Sequence, residues 1–292
     1  MLVMQPYNRR TVEILEHFDY NAEKAAAAIR DGKVLLSDEE KLRAKNTRNS
    51  AVREVIKQCY DNGIRIITLD DDEYPPLLKN IDNPPIVLFC AGSMKNLDGT
   101  LSVSAVGTRN PSSYGISVTK HIISPLAKVG AVIVSGLAVG IDAQAHRSCI
   151  ENGGRTVGVL GCGILVNYPE KNAQLKREIV QNGGAVISEL LPFTNTFPEY
   201  YQYRNRIISG LSLATLVIEA GEKSGALITA NHACEQGREV FFVPPHNILS
   251  PRFMGVASLG RDGAVPVYSY LDILYALFNT ADLDKFIKRG LT

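Results

Sequence analysis

The chain has 292 residues, 45% of them hydrophobic, with 31 basic and 30 acidic side chains. That length holds one large α/β domain and a smaller companion. Near-cancelling charge excludes a surface that is basic throughout, so any polyanion site has to be concentrated in a local cleft. The five cysteines, Cys59, Cys90, Cys149, Cys162 and Cys234, form no CxxC pair and share no ligand spacing with the five histidines. This argues against a metal centre and for reduced, buried thiols. No apolar h-region follows Met1 and no apolar run reaches bilayer length, so no membrane association is expected and a cytoplasmic location is the simplest reading.

Residues 8–62 place apolar side chains at helical spacing in NRRTVEILEHF, NAEKAAAAIRDG and SDEEKLRAKNTRNSAVREVIKQCYDNG. Asn21 and Ser37 are expected N-caps, with Gly32 and Gly63 as helix stops. Residues 1–63 therefore read as a small all-helical domain. A strand-like IRIITL follows, and the pairs Pro75-Pro76 and Pro84-Pro85 mark the passage into a different regime. From there the strands IVLFC, LSVSAVG, AVIVSG, TVGVLG, AVIS, LATLVIEA, EVFFVP and AVPVY alternate with helical segments such as GISVTKHIISPLAKVG, IDAQAHRSCIENG and NAQLKREIVQNG. Strands without polar alternation are covered on both faces, and strand–helix alternation predicts a doubly wound, mostly parallel α/β sheet over residues 64–280. Leu271, Leu274, Leu277 and Phe278 read as a core-covering helix, with a dimer or partner contact as the other reading. Residues 281–292 read as a short tail.

In such sheets ligands sit beyond the carboxyl ends of the strands, so the loops that follow strands belong together. The first carries Gly107, Thr108, Arg109 and Ser112, and the second Ser135 and Gly136. The third runs from Gly161-Cys162-Gly163 to Tyr168-Pro169 and Lys171, and the fourth ends in Ser224 and Gly225. Small residues at these turns let backbone amides approach an anion, and Arg109 adds a cation. Neither GxxxxGK[ST] nor a good GxGxxG occurs, which disfavours ATP hydrolysis and nicotinamide chemistry; no cofactor is expected.

Arg204, Asn205 and Arg206 are expected near a helix start as a clamp on phosphate, the alternative being a salt bridge to Glu199 or Glu219. Phe193, Phe197, Tyr200, Tyr201 and Tyr203 stand just upstream. Rings beside cations suit single-stranded nucleic acid, and they equally suit packing. Asp142 and His146, four apart, invite an acid–base reading against a blander one: a first-turn carboxylate and a hydrogen-bonded packing histidine.

VGTRNPSSYG, SGLAVGIDAQAH, GGRTVGVLGCGILVNYPEKN, ISELLP, RNRIISGLS and VIEAGEKSGALITANHACEQGREVFFVP stand in this order between residues 64 and 275. As a linked set they resemble the DNA-processing protein A family, also called DprA or Smf. The resemblance implies an extended Rossmann-like domain that binds single-stranded DNA without catalysing a reaction and protects incoming strands. It also implies a homodimer that loads the recombinase RecA in natural transformation. The first helices resemble the sterile-alpha-motif-like or helix-hairpin-helix-like domain of many members, and the winged-helix domain of some members has no counterpart here.

By the same resemblance, Gly107, Thr108 and Arg109 fall on the family's phosphate loop, with threonine for serine. Ser135 and Gly136 fall on its second loop, Arg204, Asn205 and Arg206 on its RNR, and Ser224 and Gly225 on its SG turn. Where relatives carry a DNA-contacting lysine or arginine after the YP motif, this chain has Ala173 and Gln174, with Lys171 and Lys176 close by. Where relatives read VPG and then G-x-N, it has Val243-Pro244-Pro245 and, at the asparagine position, Ala257. A nucleotide- or nucleoside-processing enzyme of a related fold is the alternative. It would rest on Glu219 with Asp142, and the glycine-rich signature with a paired glutamate that such hydrolases carry is missing.

Overall fold

The apolar runs pair into one nine-stranded sheet in a computed structural model that describes residues 9–19, 21–34, 36–38, 49–95 and 100–278. The strands are β1 (Arg65–Thr68), β2 (Val87–Gly92), β3 (Ser102–Val106), β4 (Val132–Ser135), β5 (Thr156–Val159), β6 (Ala185–Ser188), β7 (Ala214–Val217), β8 (Glu239–Phe242) and β9 (Val265–Pro266). Their order is β1-β2-β6-β5-β4-β3-β7-β8-β9. The β1–β2 and β2–β6 pairs are antiparallel and all others are parallel. The extended Rossmann-like, doubly wound α/β fold expected above is the one observed.

Alternate residues of the central strands feed two cores. Val132 and Val134 join one cluster while Ile133 joins the other, as do Val217 and Leu216 on β7. Burial on both faces is why these strands show no polar alternation. The parallel part begins in its middle at β3, winds outward through β4, β5 and β6, then returns to β7 beside β3 and winds the other way. The β3–β7 pair is thus the point where the winding direction reverses, and the loops leaving it part to form a crevice.

Three helices precede the sheet: α1 (Arg9–His17), α2 (Ala22–Arg30) and α3 (Asn49–Asp61). Asn21 caps α2 by accepting the Lys24 N–H at 2.9 Å. Of the helical segment expected to open at Ser37, residues 39–48 lie outside the described residues and the later part is α3. Ile14, Leu15 and Ala25 form a small cluster of their own, whereas Cys59 of α3 is buried with Phe89, Leu160 and Val186 of the sheet's core.

The remaining helices are α4 (Pro76–Lys79), α5 (Ser113–Lys128), α6 (Ile141–Ile150), α7 (Ala173–Gln181), α8 (Pro198–Gly210), α9 (Gly225–Glu235), α10 (Met254–Arg261) and α11 (Tyr270–Leu277), with 3-10 turns at Glu170–Asn172 and Pro251–Phe253. On α11, Ile273 and Leu274 are fully buried in the core and Leu271, Leu277 and Phe278 pack beside them, so the helix covers the core. Four cysteines are buried; Cys234, on α9, is exposed, contrary to the expectation for all five. Among the described residues no helix is long and apolar enough to cross a membrane.

Candidate nucleic-acid interface

The loop after β3 is tied to the end of β7 at Glu219. The Thr108 N–H donates to the Glu219 carbonyl at 2.8 Å, and the Ser112 N–H and Oγ donate to its carboxylate at 3.1 and 2.7 Å. Ser112 is also the N-cap of α5, its Oγ accepting the Gly115 N–H at 3.1 Å. Its hydroxyl is therefore committed to the frame of the loop.

The loop after β4 presses against the first. Gly140 has φ +90°, and a Cβ there would lie 2.3 Å from the Thr108 carbonyl, so only glycine permits this approach. The Ile141 N–H donates to the same carbonyl at 3.1 Å. Ser135 and Gly136, expected to face phosphate, turn inward instead. The Ser135 hydroxyl, fully buried, donates to the Ala105 carbonyl at 2.6 Å, and the Gly136 N–H donates to Asp142 Oδ2 at 3.1 Å.

Between these loops, α8 and the start of α9 lies a crevice of about 460 Å³, lined by Gly107, Thr108, Arg109, Asp142, Tyr201, Arg204, Asn205, Lys223, Ser224 and Gly225 among others. Arg204 forms its floor, donating from Nη1 to the carbonyls of Gly136, at 2.7 Å, and Val159. Burial lowers the pKa of this guanidinium and Asp142 counters part of that. Burial likewise pushes the Asp142 carboxyl up to about 6, with Arg204 pulling it back.

The Tyr201 ring stands between two cations, 5.2 Å from Arg109 Cζ and 5.8 Å from Arg204 Cζ. Its hydroxyl is hydrogen-bonded to Thr196 Oγ1, and burial raises its pKa. Past Tyr201 and Arg109 a second compartment of about 450 Å³ opens, lined also by Tyr168, Phe197 and Lys223. Tyr168 and Phe197 are exposed there at 43% and 53%, so aromatic surface faces solvent beside the cations.

The RNR triplet does not lie near a helix start, because α8 begins at Pro198 and the triplet occupies its middle. Asn205 Nδ2 donates to the Gly225 carbonyl at 3.2 Å, joining α8 to the first turn of α9, where Ser224 is the N-cap. Arg206 turns away from the crevice. It pairs with Glu189 at 2.8 and 3.0 Å and donates to the Asn83 carbonyl at 2.9 Å. Lys171 is exposed on the turn after Tyr168-Pro169, outside the lining of both compartments. Lys176 donates to the carbonyls of Ile164 and Val166 at 2.5 and 3.1 Å, which fixes the loop after β5 from inside.

Asp142 and His146 do not form a pair. His146 is buried with Nδ1 2.6 Å from Thr156 Oγ1, and burial, then Arg204 and Arg147, push its pKa down to about 3. Two residues were not among the expected site residues. Lys223 sits inside the fourth glycine loop, where charge was the available signal. Arg252 pairs with Glu219, and nothing in its sequence surroundings marks it.

Residues 65–278 match the family model described as DNA recombination-mediator protein A. The chain belongs to this family. As a family member it is 42% identical over 223 residues to the DNA processing protein DprA of Bacillus subtilis, an alignment covering 76% of this chain and 74% of that protein. It is 46% identical over 220 residues to protein Smf of Synechocystis, of whose length the alignment covers 54%. The X-ray structure of DprA from Streptococcus pneumoniae superposes with a TM-score of 0.73 at 32% identity, covering 93% of each chain. DprA from Helicobacter pylori, whose structure concerns a single-stranded DNA binding mode, superposes with a TM-score of 0.65 at 29% identity, covering 73% of this chain and 95% of that one. The chain is thus a DNA-processing and recombination protein by family.

Proposed function

We propose that the crevice between β3 and β7 binds single-stranded DNA, with no reaction catalysed there. The observation that carries this reading is the charge left over in the crevice. Arg109, Arg204 and Lys223 meet one carboxylate, that of Asp142, and aromatic rings continue the wall outward. Cations track a phosphate backbone and rings stack bases without sequence preference. The start of α9, at Ser224 and Gly225, brings the positive end of a helix to the same space. The single-stranded DNA binding mode of the Helicobacter pylori relative supports the assignment.

Arg109 is the main cation of this site, with Arg204 beneath it; Gly107 and Thr108 shape the phosphate loop, and Lys171 stands on the rim. Ser112, Ser135 and Arg206 hold the frame. Against an enzyme stands the commitment of both acids. Glu219 is fully buried and bonded to Ser112 and Arg252, and Asp142 to Gly136. With the family come the wider proposals: a cytoplasmic homodimer that protects incoming strands and hands them to RecA, with the helical segment before Arg65 as a companion module whose last helix, α3, packs on the core of the sheet.

Titration of single- against double-stranded DNA at two salt concentrations, with and without RecA, tests this. The single strand binds tighter, and affinity falls steeply with salt as counterions are released. Arg109→Ala weakens oligo-dT binding about tenfold or more and flattens the salt slope by about 0.7, the value of one single-strand phosphate contact. A folded Arg109→Ala variant that bound oligo-dT as the parent does across the salt series would falsify the assignment.

A further inference from the structure

The carboxylate of Glu219 is wholly buried, and a buried charge is costly unless it is paired and hydrogen-bonded. Ser112 supplies neutral donors from its N–H and Oγ. Among the described residues the cation within ion-pair distance is Arg252, whose Nη1 lies 3.1 Å from Oε1. The same Nη1 donates to the Asn110 carbonyl at 2.5 Å. One nitrogen thus bridges the end of β7 and the backbone directly after Arg109.

The backbone that carries Arg252 is held firmly, while its side chain is 41% exposed. It lies in the 3-10 turn Pro251–Phe253, and the Phe253 ring packs edge-on against His246 and Tyr114, with centroids 4.8 and 6.0 Å away. The Tyr114 hydroxyl donates to the Pro244 carbonyl at 2.8 Å, so the first turn of α5 and the segment after β8 are clamped together. The Gly255 N–H, donating to the Ala220 carbonyl at 2.9 Å, fastens that segment to the residue after Glu219.

We propose that Arg252 is a positioning residue for the DNA site, fixing the loop that carries Arg109 through the Asn110 carbonyl and Glu219. This rests on the reading of the crevice as a single-stranded DNA site. Thr108 and Ser112 anchor the loop on either side of Arg109, and Arg252 secures the span between them. Without it the Asn110 carbonyl loses this donor and only the Asn110 N–H, on Thr108 Oγ1 at 3.2 Å, ties the residue locally, Glu219 keeps only neutral donors, and Arg109 is held less closely beside Tyr201.

The test uses the full chain with Arg252→Gln and Arg252→Lys and two readouts, amide hydrogen exchange of residues 108–113 without DNA and oligo-dT affinity over a salt series. In Arg252→Gln the exchange of this segment rises about tenfold, while that of the central strands is unchanged. Affinity falls about fivefold with the logarithmic salt slope preserved, because no phosphate contact is lost. Arg252→Lys recovers part of the affinity, since an ammonium keeps the charge without the guanidinium's fork.

A slope reduced by about 0.7 makes Arg252 a direct phosphate ligand and overturns the proposal. Unchanged exchange of residues 108–113 overturns it as well. Should Arg252→Gln not fold, Arg252→Lys carries both measurements, with faster exchange and weaker binding again expected. Failure of the parent protein to bind oligo-dT removes the DNA reading instead, and the exchange result still decides whether Arg252 holds the loop.

Discussion

Helix α8 presents two arginines, two residues apart, to regions of opposite character. On its outer flank Arg206 meets the Glu189 carboxylate through two nitrogens, with both side chains only 8% exposed, and the Asn83 carbonyl takes a third bond. That region is electrostatically closed. On the crevice side Arg204 meets carbonyls, and its nearby acid, Asp142, has a carboxyl pushed up to about 6. Arg109 and Lys223 extend this side and, among the described residues, have no carboxylate at ion-pair distance. Residues two apart on a helix do not share a face, so one short motif serves both a brace and a site. A cation matched by a buried carboxylate holds the fold; cations in excess of their carboxylates await an anion.

The largest effect that sharpens this contrast comes from the brace. Arg206→Ala strands a buried carboxylate at Glu189 and lowers unfolding free energy by about 3–5 kcal/mol, read by urea denaturation. Adding Glu189→Leu recovers most of that loss, because the uncompensated charge goes with it. The folded fraction binds oligo-dT as the parent does. If Arg206→Ala instead weakened DNA binding without loss of stability, the division of α8 into brace and site would be wrong.

A smaller effect is expected where the two crevice loops touch. Gly140→Ala places a Cβ against the Thr108 carbonyl in a backbone conformation that L-residues disfavour, at a cost of about 1–3 kcal/mol. Thr108 has to give way, and Arg109 moves with it. Thermal unfolding and oligo-dT titration of this variant are therefore expected to change together; parental DNA affinity in a destabilised protein would show that the second loop does not shape the site.

The parallel strands were legible because burial on both faces writes itself into sequence as uninterrupted apolar runs, as in AVIVSG and LATLVIEA. The crevice was legible to the extent that glycine loops following strands must share one edge. The fates of Arg204 and Arg206 were not, since they depend on the phase of α8 and on β6 bringing Glu189 to its flank. The start of α8 was available, because Pro198 and Glu199 are first-turn residues by type, yet the triplet itself drew the boundary too late. Arg252 acts on a carbonyl 142 residues away, a contact that only the packing of the segment after β8 against the loop after β3 creates. Ser135 and Gly136 had the composition of an anion loop, and a backbone carbonyl and a carboxylate claimed them first.

The smallest effect on DNA binding concerns the charge of the crevice floor. Asp142 has its carboxyl raised from the usual range to about 6, chiefly by burial. Its unfolded value lies near 3.8, so the native state binds the extra proton between these limits. The stabilising contribution is therefore fully present below about pH 4 and is lost as pH rises through 6, by up to about 3 kcal/mol. Asp142→Asn keeps an acceptor for the Gly136 N–H and removes the titration. The difference in unfolding free energy between parent and variant should accordingly change across this window and level off above it. The same proton alters the site. Below pH 6 the floor loses its negative charge, and Arg204 faces an incoming phosphate without a competing carboxylate. For a phosphate about 6 Å from Asp142 in a watery crevice, this amounts to about 0.7 kcal/mol, or roughly threefold tighter oligo-dT binding at pH 5 than at pH 7. Asp142→Asn should bind at pH 7 as tightly as the parent does at pH 5 and show little change between them. A parent protein whose affinity followed the same pH profile as the variant's would place the phosphate far from Asp142 and the DNA outside the floor of the crevice.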